Sequence, residues 1–431
     1  MCYKCLLLVL LLFTVFGISG CSESQPKSTQ QIDTFRHSEN TSVAVPATST
    51  PTRPEPVIEP AKKVTGFIFQ TYDGKSWQIN HLQEGTGTSL KLTGEIADDL
   101  EPDWSPSGSK VAFAMHDNNV RQIFTVDIVG GGLRKLTSGT VDLYTPKWSP
   151  DGAKIVFVSQ LSIPERSFET CVYPSGSIFV MNADGSNIHD VTANHEEIRD
   201  CINVTPAWSP DSRRIAFASF KINIQSKQYF ANLLYNFWAT TKYPDIFIVD
   251  ADGSNLINIT ETSKDSEISP AWSPDGKKIV FIANREGGQW LEDDWQVYIY
   301  QVAGRETSRL GDNDLKWNII GISKNFGERV ITYASESFGP YISWSPDGNL
   351  LSTQVFGHLV IADSSKGAIL GEYPGVSQYY CWSPYSNKIA YIPVSTVLNH
   401  TSGDIMVMNV DGSNSRPVSA GASGHLSWHP Q

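Results

Sequence analysis

A chain of 431 residues with 33 basic and 45 acidic side chains carries a formal net charge of −12, which excludes the basic footprint that nucleic-acid phosphates demand. Its 12 Trp, 16 Tyr and 19 Phe lie among 33 Gly and 24 Pro, with only 18% charged residues. That composition excludes a helical bundle, which needs long runs of good helix formers with few breakers, and points to an all-β chain rich in tight turns.

In chain order, Lys4 precedes an apolar run from Cys5 to Ile18, 14 residues long. A membrane-spanning helix needs about 20, so residues 1–20 read as a signal segment. The run ends in Ile18-Ser19-Gly20-Cys21, which resembles the bacterial lipobox. The resemblance implies that Cys21 is acylated, palmitate among its chains, and becomes the N-terminus of a lipid-anchored envelope protein. Ser22, where an Asp would imply inner-membrane retention, implies the outer membrane in a double-membrane bacterium and otherwise the outer leaflet of the plasma membrane. Residues 21–62 follow as a tether. Its 12 Ser/Thr and six Pro with few large apolar residues cannot bury enough surface to offset the entropy of ordering.

From residue 63 to 431 one unit keeps returning. Its centre reads Trp104-Ser105-Pro106-Ser107-Gly108, Trp148-Ser149-Pro150-Asp151-Gly152, Trp208-Ser209-Pro210-Asp211-Ser212, Trp272-Ser273-Pro274-Asp275-Gly276, Trp344-Ser345-Pro346-Asp347-Gly348 and Trp382-Ser383-Pro384, with Trp428-His429-Pro430 last. Pro presets φ, Asp bonds its own backbone and Gly accepts the left-handed position, so each copy is a hairpin turn. A second turn follows an alternating strand at Asp184-Gly185-Ser186-Asn187, Asp252-Gly253-Ser254-Asn255 and Asp411-Gly412-Ser413-Asn414. Four strands per roughly 40–45-residue unit is the period of a propeller blade. The motif resembles the repeat of the TolB-like, WD40-like β-propeller family over about residues 65–431.

The expected fold is therefore a seven-bladed β-propeller of four-stranded antiparallel blades. The unit at Thr65–Thr93 lacks an innermost strand and Gly424–Trp428 is an innermost strand with nothing after it, so the two are expected to share one composite blade and remove the open edges. Ile322–Gly327 faintly echoes the turn and leaves an eighth blade open.

Successive motif Trp residues stand 44, 60, 64, 72, 38 and 46 apart. The surplus falls at about 160–176, 194–205, 221–244, 285–295 and 312–340, all of it between second and third strands or between blades. Those connections share one face, and loops on a rigid scaffold are where binding usually resides. The aromatic insertion holding Tyr229, Phe230, Tyr235, Phe237 and Trp238 has two readings, packing on neighbouring blades or an exposed contact patch. Trp290 and Trp295 flank an acidic cluster, read either as a solvated loop or as part of the same patch. Cys171 and Cys201 project from this face on adjacent blades. A disulfide between them would close a 30-residue loop, worth about 3–4 kcal/mol in the chain-entropy model.

The chain contains no Gly-x-Ser-x-Gly elbow, His-Glu-x-x-His pair or Walker loop. In Asp250–Asn255 the glycine is fourth, where a calcium loop needs it sixth. No cofactor, metal or catalytic residue is expected. Similar propellers precede hydrolase domains in prolyl-peptidase-like enzymes, and no such domain is expected here because the sequence ends where the ring closes. TolB itself carries an N-terminal α/β domain where this chain has a tether. The resemblance implies an envelope protein or peptide as partner. The alternative is a carbohydrate-binding or lyase-like propeller acting at the channel mouth, for which His116, His195, His358 and His400 are the histidines near loop ends.

Overall fold

The structure is a computed structural model that describes residues 66–83, 85–94, 99–159, 176–199, 201–221, 243–262, 265–284, 295–310, 341–355, 358–393 and 403–430. These form seven four-stranded antiparallel sheets arranged as a propeller. Blade 1 is composite: Leu426–Trp428 pairs with Gly66–Tyr72, Phe67 facing Trp428 and Phe69 facing Leu426. Blades 2 to 7 begin with the innermost strands Asp99–Trp104, Leu143–Trp148, Cys201–Trp208, Ser266–Trp272, Tyr341–Trp344 and Val376–Trp382.

No eighth blade lies between blades 5 and 6. The Trp344 indole donates to the Ala271 carbonyl of the preceding innermost strand at 3.1 Å, and Gly348 packs on Pro274. The echo at 322–327 lies outside the described residues.

Each blade takes its order from its second strand. Val111 to Ala114, Ile155 to Val158, Ile215 to Ala218 and Ile279 to Ala283 are buried on both faces, because every blade is covered by a neighbour on each side. A continuous apolar run is the expected signature of such a strand. One aromatic pair recurs directly across from second to third strand: Phe113–Phe124, Phe157–Phe179, Phe217–Phe247 and Phe281–Tyr298, stacked at 5.6–6.1 Å. Such pairs contribute about 0.5–1.5 kcal/mol beyond their buried area.

The turn motif works within a blade and between blades. In all six copies the Ser hydroxyl accepts the N–H five residues on, at 2.9–3.0 Å, from Lys110, Lys154, Arg214, Lys278, Leu350 and Lys388. Asp275 accepts from the Ser273 hydroxyl at 2.6 Å and the Lys277 N–H. These bonds, the hydroxyl first, hold its carboxyl below the usual range. Ser212 and Ser386 occupy the glycine position at φ 60°. Each accepts, at 3.0 Å, the N–H of the preceding blade's turn aspartate, Asp151 or Asp347. A serine in the glycine position thus bonds one blade to the next.

The motif Trp reaches backward in the same way. Trp208 donates to the Lys147 carbonyl at 3.0 Å and Trp382 to the Ser352 hydroxyl at 2.8 Å, whereas the buried Trp148 Nε1 meets no acceptor. Trp208→Phe should therefore cost about 1 kcal/mol more than Trp148→Phe, the worth of one net hydrogen bond. Paired urea melts check this; equal losses would remove the indole bond from the account.

Candidate functional site

The antiparallel order puts all long connections at one end of the blades. Segments 160–175, 222–242 and 285–294 leave where the second strands of blades 3, 4 and 5 stop at Ser159, Lys221 and Asn284. Segment 311–340 joins blade 5 to blade 6. Among the described residues the opposite end carries only short turns.

Midway along their length, three residues before the motif Trp, the innermost strands of blades 2 to 5 share a feature of the channel wall. Each has a β-bulge at a residue with positive φ before a proline: Glu101 (56°), Thr145 (48°), Thr205 (52°) and Ser269 (54°). A left-handed conformation is costly for a β-branched threonine, and strain of this kind is of order 1–3 kcal/mol per residue. The hydroxyls of Thr145, Thr205 and Ser269 are buried without a protein partner. The Glu101 carboxylate accepts the Thr145 N–H at 2.5 Å. Burial pushes its pKa up, opposed by that bond and by the charges of Lys147 and Arg121.

The neighbouring polar groups are fixed to one another. Asp103 receives Lys147 Nζ at 3.3 Å and the Trp148 N–H at 2.8 Å. Arg121 donates to the Tyr144 hydroxyl at 3.1 Å and lies 5.1 Å over its ring. Asp142 accepts from that hydroxyl and from the Arg121 N–H. Burial pushes Tyr144 up to about 12, so its phenol stays protonated at neutral pH. His425 is lowered to about 3 by burial and then by the Lys147 charge, against a bond to the Pro102 carbonyl. The half-ring thus pairs its charges with one another and leaves three buried hydroxyls without a protein partner.

Of the residues singled out from sequence, Cys21, Cys171, Tyr229, Phe230, Tyr235, Phe237, Trp238, Trp290 and His400 lie outside the described residues. Trp295 opens the third strand of blade 5 opposite Asn284, at the long-loop end. Cys201 is buried there, its Sγ 3.3 Å from the Glu197 carbonyl. Cys381 has a thiol pushed up to about 12 by burial, an unreactive group. His195 is half-buried, its Nε2 2.8 Å from the Gly253 carbonyl of blade 4. His116 and His358 sit in strands of blades 2 and 6. Among the described residues no three of His, Cys, Asp and Glu gather closely enough to hold a metal. The bulge ring was missed, although its signal is in the sequence: a proline two places before the motif Trp at Pro102, Pro146, Pro206 and Pro270.

No family model matches the chain. A curated relative, the uncharacterized peptidase YuxL of Bacillus subtilis (strain 168), is 25% identical over 191 residues, 40% of this chain and 26% of that protein. The chain thus spans about a quarter of that relative's length. Among solved structures, oligogalacturonate lyase from Vibrio parahaemolyticus aligns over 83% of this chain and 85% of its own, at 13% identity and a TM-score of 0.51. TolB from Acinetobacter baumannii aligns over 71% and 64%, at 16% identity and a TM-score of 0.42. The likeness to the lyase is one of fold.

Proposed function

We propose that this chain is a non-catalytic envelope lipoprotein, anchored through acylated Cys21, whose long-loop face docks a protein or peptide. The observation that carries the reading is the division of the ring into two unlike ends. Six short turns of nearly identical chemistry close one end, while every long connection leaves from the other. Midway along the channel wall lie strained backbone and unpartnered hydroxyls that folding alone does not reward. The aromatic insertion, with Trp290 and Trp295 on the next blade, would supply the apolar anchors of the contact.

Two variants test the two halves of this reading. Cys21→Ser should abolish lipid labelling and release the protein from membranes; retention without labelling would refute the anchor. Replacing Tyr235, Phe237 and Trp238 together with Ala should weaken capture of envelope partners, aromatic hot spots being worth about 2 kcal/mol or more each, while the circular dichroism melt stays unchanged. A triple variant that melts normally and keeps every wild-type partner would remove these residues from the site. A large loss of stability would place them in the core instead, at about 3–5 kcal/mol per buried aromatic.

A further inference from the structure

At the tight-turn end, remote from the long loops, blades 7 and 1 do not close fully against each other. A cleft of about 360 Å³ opens between them, within the size range of small-ligand sites. Its apolar wall is made by Phe67, Leu82, Val407, Val418 and Trp428, with the Phe67 and Trp428 rings 4.6 Å apart. Lys388 and Arg416 also line it. Arg416 stands across the strand pair from Val407, and Lys388 opens the adjacent strand. Among the described residues no carboxylate lines the cleft and neither cation has an acidic partner; Glu84, between the lining residues Gln83 and Gly85, lies outside them. Gly85 and Gly87 form one side with positive φ, and nothing lies within 4 Å of the place a Cβ would take, so the entrance is bare backbone.

Two cations with no acidic partner among the described residues, set over an apolar wall, are unusual in a chain of net charge −12, where stray carboxylates are plentiful. An apolar slot alone would take any greasy group, and surface lysines alone would hold any anion weakly. Together they select a ligand with both parts. We infer that this cleft binds a small apolar carboxylate, its ring or branched chain against Phe67 and Trp428 and its anionic head between Lys388 and Arg416. The site is independent of the long-loop face and stands whether or not that face binds a partner.

The test is a ligand-observed NMR titration of the full chain with 3-phenylpropionate, 3-phenylpropanol and N-acetyl-glycyl-phenylalanine. The two acids should bind with Kd of about 0.1–1 mM, a reasonable efficiency for ligands of this size, and the alcohol at least about 10-fold more weakly, the loss of one charge-assisted contact. A dipeptide bound much more tightly than phenylpropionate assigns the natural source to a peptide C-terminus, and equal affinities assign it to a free acid. Lys388→Gln with Arg416→Gln should weaken both acids by 10-fold or more with an unchanged melt. Val418→Trp should block them by filling the cleft, and Lys154→Gln should change nothing. Equal binding of alcohol and acid, or full affinity in the double Gln variant, overturns the proposal. So does binding that appears only when Glu55 and Glu59 are changed to Gln, which would assign the cleft to the chain's own tether.

Discussion

Deleting Gly424 to Gln431 should unfold the ring at ambient temperature. The deletion removes Leu426–Trp428 from its ladder with Phe67–Phe69, the His425 carbonyl that receives the Gln70 N–H at 3.0 Å, and the Ser427 carbonyl that receives the Trp104 indole. It also takes away His429, which packs edge-on to Trp104 at 4.7 Å and fills the space beside Gly108. Buried Leu426 alone is worth about 2–3 kcal/mol, and each orphaned carbonyl or N–H adds about 1–3 kcal/mol. The sum rivals the whole stability of an ordinary domain, about 5–15 kcal/mol. Two strand edges are exposed as well, so aggregation should accompany the loss. Thermal melts and light scattering read both; a melting temperature within about 2 °C of the full chain would show that closure contributes little.

Acidification should open the same seam. His81 is buried, its Nε2 without a partner and its ring 5.9 Å from Trp104. Burial, then the nearby His429, lowers its pKa to about 4 from an ordinary 6.5. A histidine lowered on folding is protonated first in the unfolded chain. Its contribution is complete above pH 6.5 and is lost as pH falls toward 4. At pH 4 the loss from His81 is about 3 kcal/mol. His425 is lowered further, to about 3, so its loss begins at the same pH 6.5 and runs on to about pH 3. Glu101 works in the opposite sense: its raised carboxyl costs stability at neutral pH and returns it as the group protonates. The urea midpoint should fall between pH 6.5 and 4, and His81→Gln should flatten that slope. An identical slope in the variant would move the acid sensitivity elsewhere.

The repeat was legible because its chemistry is local. A serine hydroxyl bonding the N–H five residues on needs nothing beyond its own turn, so Trp-Ser-Pro-Asp-Gly announces itself wherever it stands. The closure of blade 1 followed from counting strands, because an unpaired innermost strand at one end answers a missing one at the other. Ser212 and Ser386 could not be read in this way. Their bonds run to Asp151 and Asp347 on the preceding blades, and a substitution that looks damaging within its turn is satisfied across an interface. The bulges at Glu101, Thr145, Thr205 and Ser269 had a periodic signal in the following prolines. A proline in a strand ordinarily marks an edge, whereas here it sits on the innermost strand at a bulge. The insertions were the least legible part, because each occurs once and no second copy reveals which of its positions are fixed.

The composite blade also decides how the ring meets a mechanical load. The described chain enters at Gly66, at the tight-turn end, directly into a strand held on both sides, by Trp77–Gln83 and by Leu426–Trp428. A pull applied through the preceding residues and directed away from the long-loop end runs along that strand, so both ladders resist in shear and their bonds must fail together. Had the chain entered through an outermost strand, the same pull would peel bonds one at a time. The entry strand can therefore bear a pull from upstream without unravelling the ring.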